Sequence, residues 1–504
     1  MLAVCLSVIL TGCSMAPHYE RPPPPVAPVF PDAKAMLEAG DGATDGAAQR
    51  LAPDIGWQEF LGDPRLQRLV ELALLNNRDL RLAMLNVEAA QAQYRIQRAE
   101  QVPNLSLSTQ LTRQERSGVI QEQYNVGLGI SAFELDLFGR VRSLRDASLA
   151  RYLATDQARR SAQIALVASV ANAYLNGRAT EERLAIVEQS LRAWEHTLRL
   201  AEVRYKSGVG SELSLRQSQT LVATAHANLT AARRASAQAR NLLVFLVGQP
   251  LPQDLPPARL LSEQGILADV PAGLPSDLIE RRPDILAAEQ SLRATNADIG
   301  AARAAFFPRL TLTGSLGTSS SDFDDLFGSG TRVWSFVPQL TLPIFSGGRN
   351  VANLDLNWVR RNSAVAEYEK RIQMAFQEVS NGLAARATLD EEVAALGELV
   401  AASQRALELS VMRYEGGVDS SLQLLDAQRS LYIAQQAQLQ ARLLRLTSLV
   451  DLYRALGGGW RVADDVDGVE ASTRQDVQAP PQVSGAGQAT LGHSIRTLVA
   501  VRLA

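Results

Sequence analysis

Arg204-Tyr205-Lys206-Ser207-Gly208-Val209 recurs about two hundred residues further on as Arg413-Tyr414-Glu415-Gly416-Gly417-Val418. The same offset then sets Ser211 on Ser420, Leu213 on Leu422, Leu215 on Leu424, Gln219 on Gln428 and Gly248 on Gly457, with no gap. Upstream, Asp79 answers Asp284, Arg98 answers Arg303, Pro103 answers Pro308, and Leu105 and Leu107 answer Leu310 and Leu312. Between these blocks Phe138-Gly139-Arg140 matches Phe345, Gly348 and Arg349 across small insertions. The chain is therefore one pattern written twice.

Each copy reads as helix, strand, strand, very long helix, turn, helix. The first helix, Arg65 to Gln101 and Ser276 to Phe307, is expected to stop before Pro103 or Pro308. From Gly139 to Tyr205 there is no proline, so a helix of roughly 100 Å is predicted at 1.5 Å per residue. Its distal half spaces Leu184, Val187, Leu191, Trp194, Leu198, Ala201 and Tyr205 by threes and fours, the seam of a coiled coil. The second copy places Val393, Leu396, Val400, Ser403, Leu407, Ser410 and Tyr414 in the same way. The paired helices close at Gly208 and Gly417, where reversal of the chain needs a residue that tolerates positive φ.

The strands alternate with period two. Leu105, Leu107 and Leu111 alternate with Ser106, Ser108 and Gln110, and Leu310, Leu312 and Leu316 with Thr311, Thr313 and Ser315. Val126, Leu128 and Ile130, then Trp334, Phe336, Leu340 and Leu342, continue the pattern in the second strand of each hairpin. Any half-buried soluble sheet also looks like this. Here, however, two hairpins of strands about ten residues long stand far apart between helices, with no neighbouring sheet to cap them, and a membrane-spanning strand needs about 9–11 residues. Lipid admits no open sheet edge, and four strands fall short of the roughly eight that close a barrel. A barrel built from several copies follows.

Composition excludes other classes. The chain is 46% hydrophobic and only 5% aromatic, rich in Ala and Leu, which favours helix. With 50 basic against 53 acidic residues, no charge excess points to nucleic acid. Beyond the first dozen positions no run of about 18 apolar residues offers a transmembrane helix. The N-terminal Leu10-Thr11-Gly12-Cys13 matches a bacterial lipobox, which makes Cys13 the acylated first residue of the mature chain, and Ser14 after it favours the outer membrane. Cys5 and Cys13 are the only cysteines, so thiolate metal and redox chemistry have no material to work with. Pro22 to Pro31 reads as an extended tether. His18, His196, His226 and His493 lack ligand spacing, and no phosphate loop or nucleophile elbow is present, so neither cofactor nor enzyme activity is expected.

At this point the residues resemble the outer membrane factors of efflux pumps, the TolC-type family and its lipoprotein branch. The resemblance runs through Trp57, Phe60, Asp63-Pro64 and Leu66, then Leu74 to Leu80, Glu134 to Arg140, Arg281-Arg282-Pro283-Asp284-Ile285 and Leu342-Pro343-Ile344-Phe345. It is strongest from Arg413 to Leu431 and closes on Leu456-Gly457-Gly458-Gly459-Trp460. It implies a mainly α fold with a β-barrel portion, assembled as a homotrimer with a twelve-stranded barrel and a twelve-helix periplasmic tunnel. It also implies a gate at the helix tips, on Tyr414, Leu422 and Asp426, with Tyr205, Leu213 and Gln217 as their first-copy counterparts. In that gate Leu422 forms an apolar ring, Asp426 an acidic ring and Tyr414 a tie through its hydroxyl; Glu415 stands where some relatives carry a basic residue.

The resulting domain organisation is 1–12 signal segment, 13–62 lipid anchor and tether, 63–250 first repeat, 251–275 linker, 276–460 second repeat and 461–504 a disordered tail. The implied partners are outer-membrane lipid, a periplasmic adaptor and an inner-membrane transporter of the resistance-nodulation-division class. The alternatives are a duct for type I protein secretion and, from another class, a periplasmic coiled-coil adaptor, which leaves the two alternating hairpins unexplained.

Overall fold

The computed structural model describes residues 14–30 and 51–460, apart from 269, 271–274 and the side chain of Arg116. The signal segment, Cys13, residues 31–50 and the tail from 461 lie outside the described residues. The first repeat runs α1 (Trp57–Phe60), α2 (Pro64–Asn76), α3 (Arg78–Ala99), β1 (Leu105–Arg116), β2 (Val119–Leu135), α4 (Arg140–Lys206) and α5 (Glu212–Val247). The second runs α6 (Pro275–Arg281), α7 (Pro283–Ala304), β3 (Arg309–Ser320), β4 (Arg332–Thr341), α8 (Arg349–Glu415) and α9 (Ser421–Ala455). Both long helices have 67 residues. Among the described residues no helix is long and apolar enough to cross a membrane.

The first helix of each copy differs from expectation: it is broken in two. Arg282 takes an extended ψ of 121° because the ring of Pro283 drives the residue before it out of the helical region. In the first copy Asn77 takes ψ 131° with no proline after it, and its side chain does the work of a cap. Its amide oxygen accepts from the Leu80 N–H at 2.9 Å, and its amide nitrogen donates to the Leu246 carbonyl at 2.9 Å. Arg282 donates to the Ala455 carbonyl at 2.7 Å, the repeat counterpart of the same contact. Each break therefore seats the end of its own return helix.

The core sits around these breaks, where Trp57, Phe60, Leu66, Ile285, Tyr368 and Leu452 are buried. The segment before α2 supplies three fixings. Phe60 stacks on Tyr453 at 3.9 Å, the Tyr453 hydroxyl donates to the Ile55 carbonyl, and Asp63 caps α2 through Arg65 N–H while accepting the Tyr174 hydroxyl at 2.6 Å. Arg282 is buried and ion-paired to Asp284 at 2.7 Å and to Glu378 at 2.9 Å. Burial works to raise the Asp284 pKa, yet the Arg282 guanidinium outweighs it and holds the carboxyl below the usual carboxylate range.

The four strands form one antiparallel sheet in the order β1-β2-β3-β4, with β1 and β4 as open edges in the single chain. The register puts Leu107 opposite Leu128, Leu128 opposite Leu316 and Leu316 opposite Trp334, so one apolar face runs unbroken across all four strands. The other face carries Ser106, Gly129, Ser315 and Ser335. At 17 residues β2 is longer than expected, and a bulge between Ile130 and Phe133, with Ala132 at φ 50°, returns Phe133 and Leu135 to the apolar face. Beneath the sheet α3 packs on α4, α4 on α7 and α7 on α8, the same order as the strands they lead into.

Candidate functional site

The helix tips hold the residues that the gate expectation singles out. At the first tip Gly208 has φ 78°, and the N–H groups of Val209 and Gly210 both donate to the Arg204 carbonyl. At the second tip Gly417 has φ 74°, and Val418 and Asp419 donate to the Arg413 carbonyl. Neither glycine has any atom near the position of an added Cβ, so the positive φ alone requires glycine there.

The side chains diverge where the backbones agree. Asp419 is the repeat counterpart of Gly210. Arg413 grips Asp419 with two hydrogen bonds of 2.7 and 2.8 Å, which hold the Asp419 carboxyl below the usual range. Arg204, facing Gly210, has no such acid and lies instead over the Tyr414 ring, 4.6 Å from its centre. Tyr414 is thereby buried, while its counterpart Tyr205 is exposed. The contact is made by the ring face, where a hydroxyl tie was expected.

Leu422 is 58% exposed and Asp426 lies on the same face one turn on, ion-paired to Arg429 at 2.6 Å. The opposite face of α9 is the buried one, through Leu424, Leu425 and Gln428. Leu213 is exposed and Gln217 half-buried in the first repeat. Two hydrogen bonds also join the repeats near the tips: the Ser214 and Ser421 hydroxyls meet at 2.6 Å, and the Gln428 amide donates to Thr197 Oγ1 at 2.9 Å. Above them Val187, Leu191 and Trp194 pack on Ala225 and Leu229, with Tyr432 edge-on to Trp194. Arg204, Arg413 and Asp419 stand outside the expected gate set; an arginine facing aspartate in one copy and glycine in the other was the available signal.

The N-terminal segment is the second candidate. Cys13 lies outside the described residues, but the chain just after it runs along α7. The Met15 carbonyl accepts from Arg303 at 3.3 Å and the Pro17 carbonyl from Asn296 at 2.8 Å. Arg21, Arg293 and the Tyr19 hydroxyl then converge on the buried Glu289 at 2.8–3.2 Å. Burial favours protonation of Glu289, but the hydrogen bonds of Arg21 and Arg293 prevail and hold its pKa below the usual range. Residues 15 to 17 thus lie beside the part of α7 that leads into β3, at the foot of the sheet, and Tyr19 and Arg21 reach Glu289, about 20 Å further down the same helix than Arg303.

A family model described as outer membrane efflux protein matches residues 69–249 and again 274–458, once over each repeat. The chain belongs to the outer membrane efflux protein family. Among curated relatives, the toluene efflux pump outer membrane protein TtgC of Pseudomonas putida is 47% identical over 462 residues, 90% of this chain and 94% of the relative. The outer membrane protein OprJ of Pseudomonas aeruginosa is 47% identical over 466 residues, 91% of this chain and 95% of the relative. Among solved structures, the open state of the Neisseria gonorrhoeae outer membrane channel MtrE superposes with a TM-score of 0.81 at 43% identity, covering 89% of this chain and 99% of that one. Membership of the efflux family places the chain in the outer membrane as a channel component, in agreement with the apolar sheet face and the long helices.

Proposed function

We propose that three copies of this chain close into a passive exit duct of a tripartite efflux pump, meeting a periplasmic adaptor and an inner-membrane transporter of the resistance-nodulation-division class. One observation carries the reading: a four-stranded sheet whose apolar face is continuous from edge to edge and whose two edges are both open. Lipid tolerates the face but not the edges, and twelve strands from three copies remove them. The strip of α3, α4, α7 and α8 continues each strand, so closing the sheet also closes a tunnel of helices.

In this reading the duct performs no covalent chemistry and is gated at the tips. Leu422 forms an apolar ring, Asp426 an acidic ring, and Tyr414 fixes the second tip against the first through Arg204; Leu213, Gln217 and Tyr205 are the outlying set. Acylated Cys13 anchors the chain beside the strands, because the segment that follows it is already held at their foot. Relatives named for antibiotic and toluene efflux favour export of small molecules over secreted polypeptide. The test is extraction of the expressed chain from outer membranes in mild detergent. A trimer that forms ion-conducting pores in planar bilayers is expected, and a water-soluble monomer without conductance refutes the proposal.

A further inference from the structure

The chain closes one seam within itself and leaves the repeat equivalent of that seam open. Inside the chain β2 of the first repeat meets β3 of the second, with Leu135 opposite Leu310, Glu134 opposite Thr311 and Phe133 opposite Leu312. Just below, Phe138 stacks on Phe307 at 4.8 Å, and Glu134 pairs with Arg309. The match of Phe138 to Phe345 carries Leu135, Glu134 and Phe133 onto Leu342, Thr341 and Leu340 of the β4 edge. The match of Pro308 to Pro103 carries Leu310, Thr311 and Leu312 onto Leu105, Ser106 and Leu107 of the β1 edge, and Phe307 onto Val102.

Exposure follows this correspondence. Phe138 and Leu137 are half-buried in the closed seam, whereas Phe345 and Ile344 are 90% and 93% exposed. Val102, Leu105 and Leu107 are exposed on the facing edge. The closed seam is interrupted by the β2 bulge between Ile130 and Phe133, and the matching level of the open edge carries Pro338, which has no N–H, two residues from Leu340.

Resting on the trimeric reading, we propose the register of the joint between copies: Leu342 opposite Leu105 of the next copy, Thr341 opposite Ser106, and Leu340 opposite Leu107, with Phe345 seated on Val102. This register keeps leucine beside leucine on the lipid face; a slip of one residue turns Leu340 against serine. At this level the joint between copies is uncharged, because Glu134 and Arg309 of the inner seam become Thr341 and Asn104.

Paired cysteines test it in the full chain in outer membranes. Thr341→Cys with Ser106→Cys places two thiols directly across the joint, where Cα atoms about 4.5–5.5 Å apart suit a disulfide. Mild oxidation by copper phenanthroline, which takes up the two electrons released by the thiols, is expected to give a covalent trimer on denaturing gels that collapses on reduction. Each single variant is expected to give none while keeping the trimer seen in mild detergent. The comparison pair, Thr341→Cys with Ser108→Cys, is two residues out of register, at roughly 7–8 Å, and is expected to link at least several-fold more slowly. Faster linking of that pair overturns the register, as does a detergent trimer that neither pair links. Linking confined to monomers, or an unmodified chain that yields no trimer, overturns the trimeric reading along with it.

Discussion

The sheet end and the tip end use the two repeats in opposite ways. At the sheet the copies do the same job: Leu107 and Leu312 share one face, Ser106 and Thr311 the other, and the register carries that face across the boundary between repeats. At the tips the backbones are alike and the side chains part company, Asp419 against Gly210, buried Tyr414 against exposed Tyr205. A bilayer presents the same hydrocarbon to every strand and penalises difference. The helix tips do not demand equivalence, because one helix pair can hold the other in place.

The largest expected effect breaks the sheet half of this comparison. Leu312→Arg puts a charge on the lipid face at a cost of about 2–4 kcal/mol near the midplane, in every copy. Trimer recovered from outer membranes is expected to fall at least tenfold, while Thr313→Arg, on the polar face, stays within about twofold. Similar losses for the two variants mean that the faces are wrongly assigned.

Next in size is the proposed gate. Leu422→Ala with Asp426→Ala is expected to raise single-channel conductance about severalfold and to lower cation preference, since an apolar ring resists wetting and an acidic ring draws cations. Leu213→Ala with Gln217→Ala is expected to change conductance less. Equal effects show that the tips are functionally equivalent, and loss of trimer in the first pair shows those residues to be packing.

Smaller again is the hold between the tips. Tyr414→Leu keeps an apolar side chain but removes the ring beneath Arg204, a loss of about 1–2 kcal/mol for a cation–π contact on a buried ring. Faster trypsin cleavage near Arg204 and Arg413 is the expected readout, and an unchanged rate removes the pair from the account. The least effect is expected from Asp419→Gly, which makes the second tip resemble the first. In the unmodified chain the depressed Asp419 pKa means that the grip on Arg413 is present above about pH 4, the ordinary aspartate range, and is lost only as pH falls through the lower folded value. Tip cleavage by a protease active across pH 5–8 is therefore expected not to vary through this pair. A marked rise at pH 5 contradicts the assignment.

Much of this architecture is legible in the amino-acid order because it depends on period. Alternation at Leu105 to Leu111 and three-four spacing from Leu184 to Ala201 report directly which side of an element meets apolar matter. The break at Arg282 was readable in Pro283, but the break at Asn77 was not, since an asparagine cap is recognised by the carbonyl it finds, here Leu246, which lies far along the chain. The extra length of β2 was hidden in the same way: the Ile130 to Phe133 bulge puts two apolar residues out of step, and only pairing with β3 shows that they share a face. At the tips the glycines were evident and the partners of Arg204 and Arg413 were not, because each depends on which helix lies alongside.

The length of α4 and α8 has a mechanical consequence. The buried residues of the main apolar core reach Ala179 on α4 and Leu383 on α8, and from there each helix, with its return helix packed alongside, runs on to its tip at Lys206 or Glu415. At 1.5 Å per residue these are lever arms of roughly 40–50 Å. One degree of rotation at the fulcrum moves the tip by roughly 0.8 Å over such a length, so a tilt of about 5° carries it some 4 Å, more than the reach of a hydrogen bond. A push too slight to disturb the packing around Trp57 and Tyr368 is large enough, at the far end, to shift the contact of Arg204 with Tyr414 by several ångströms.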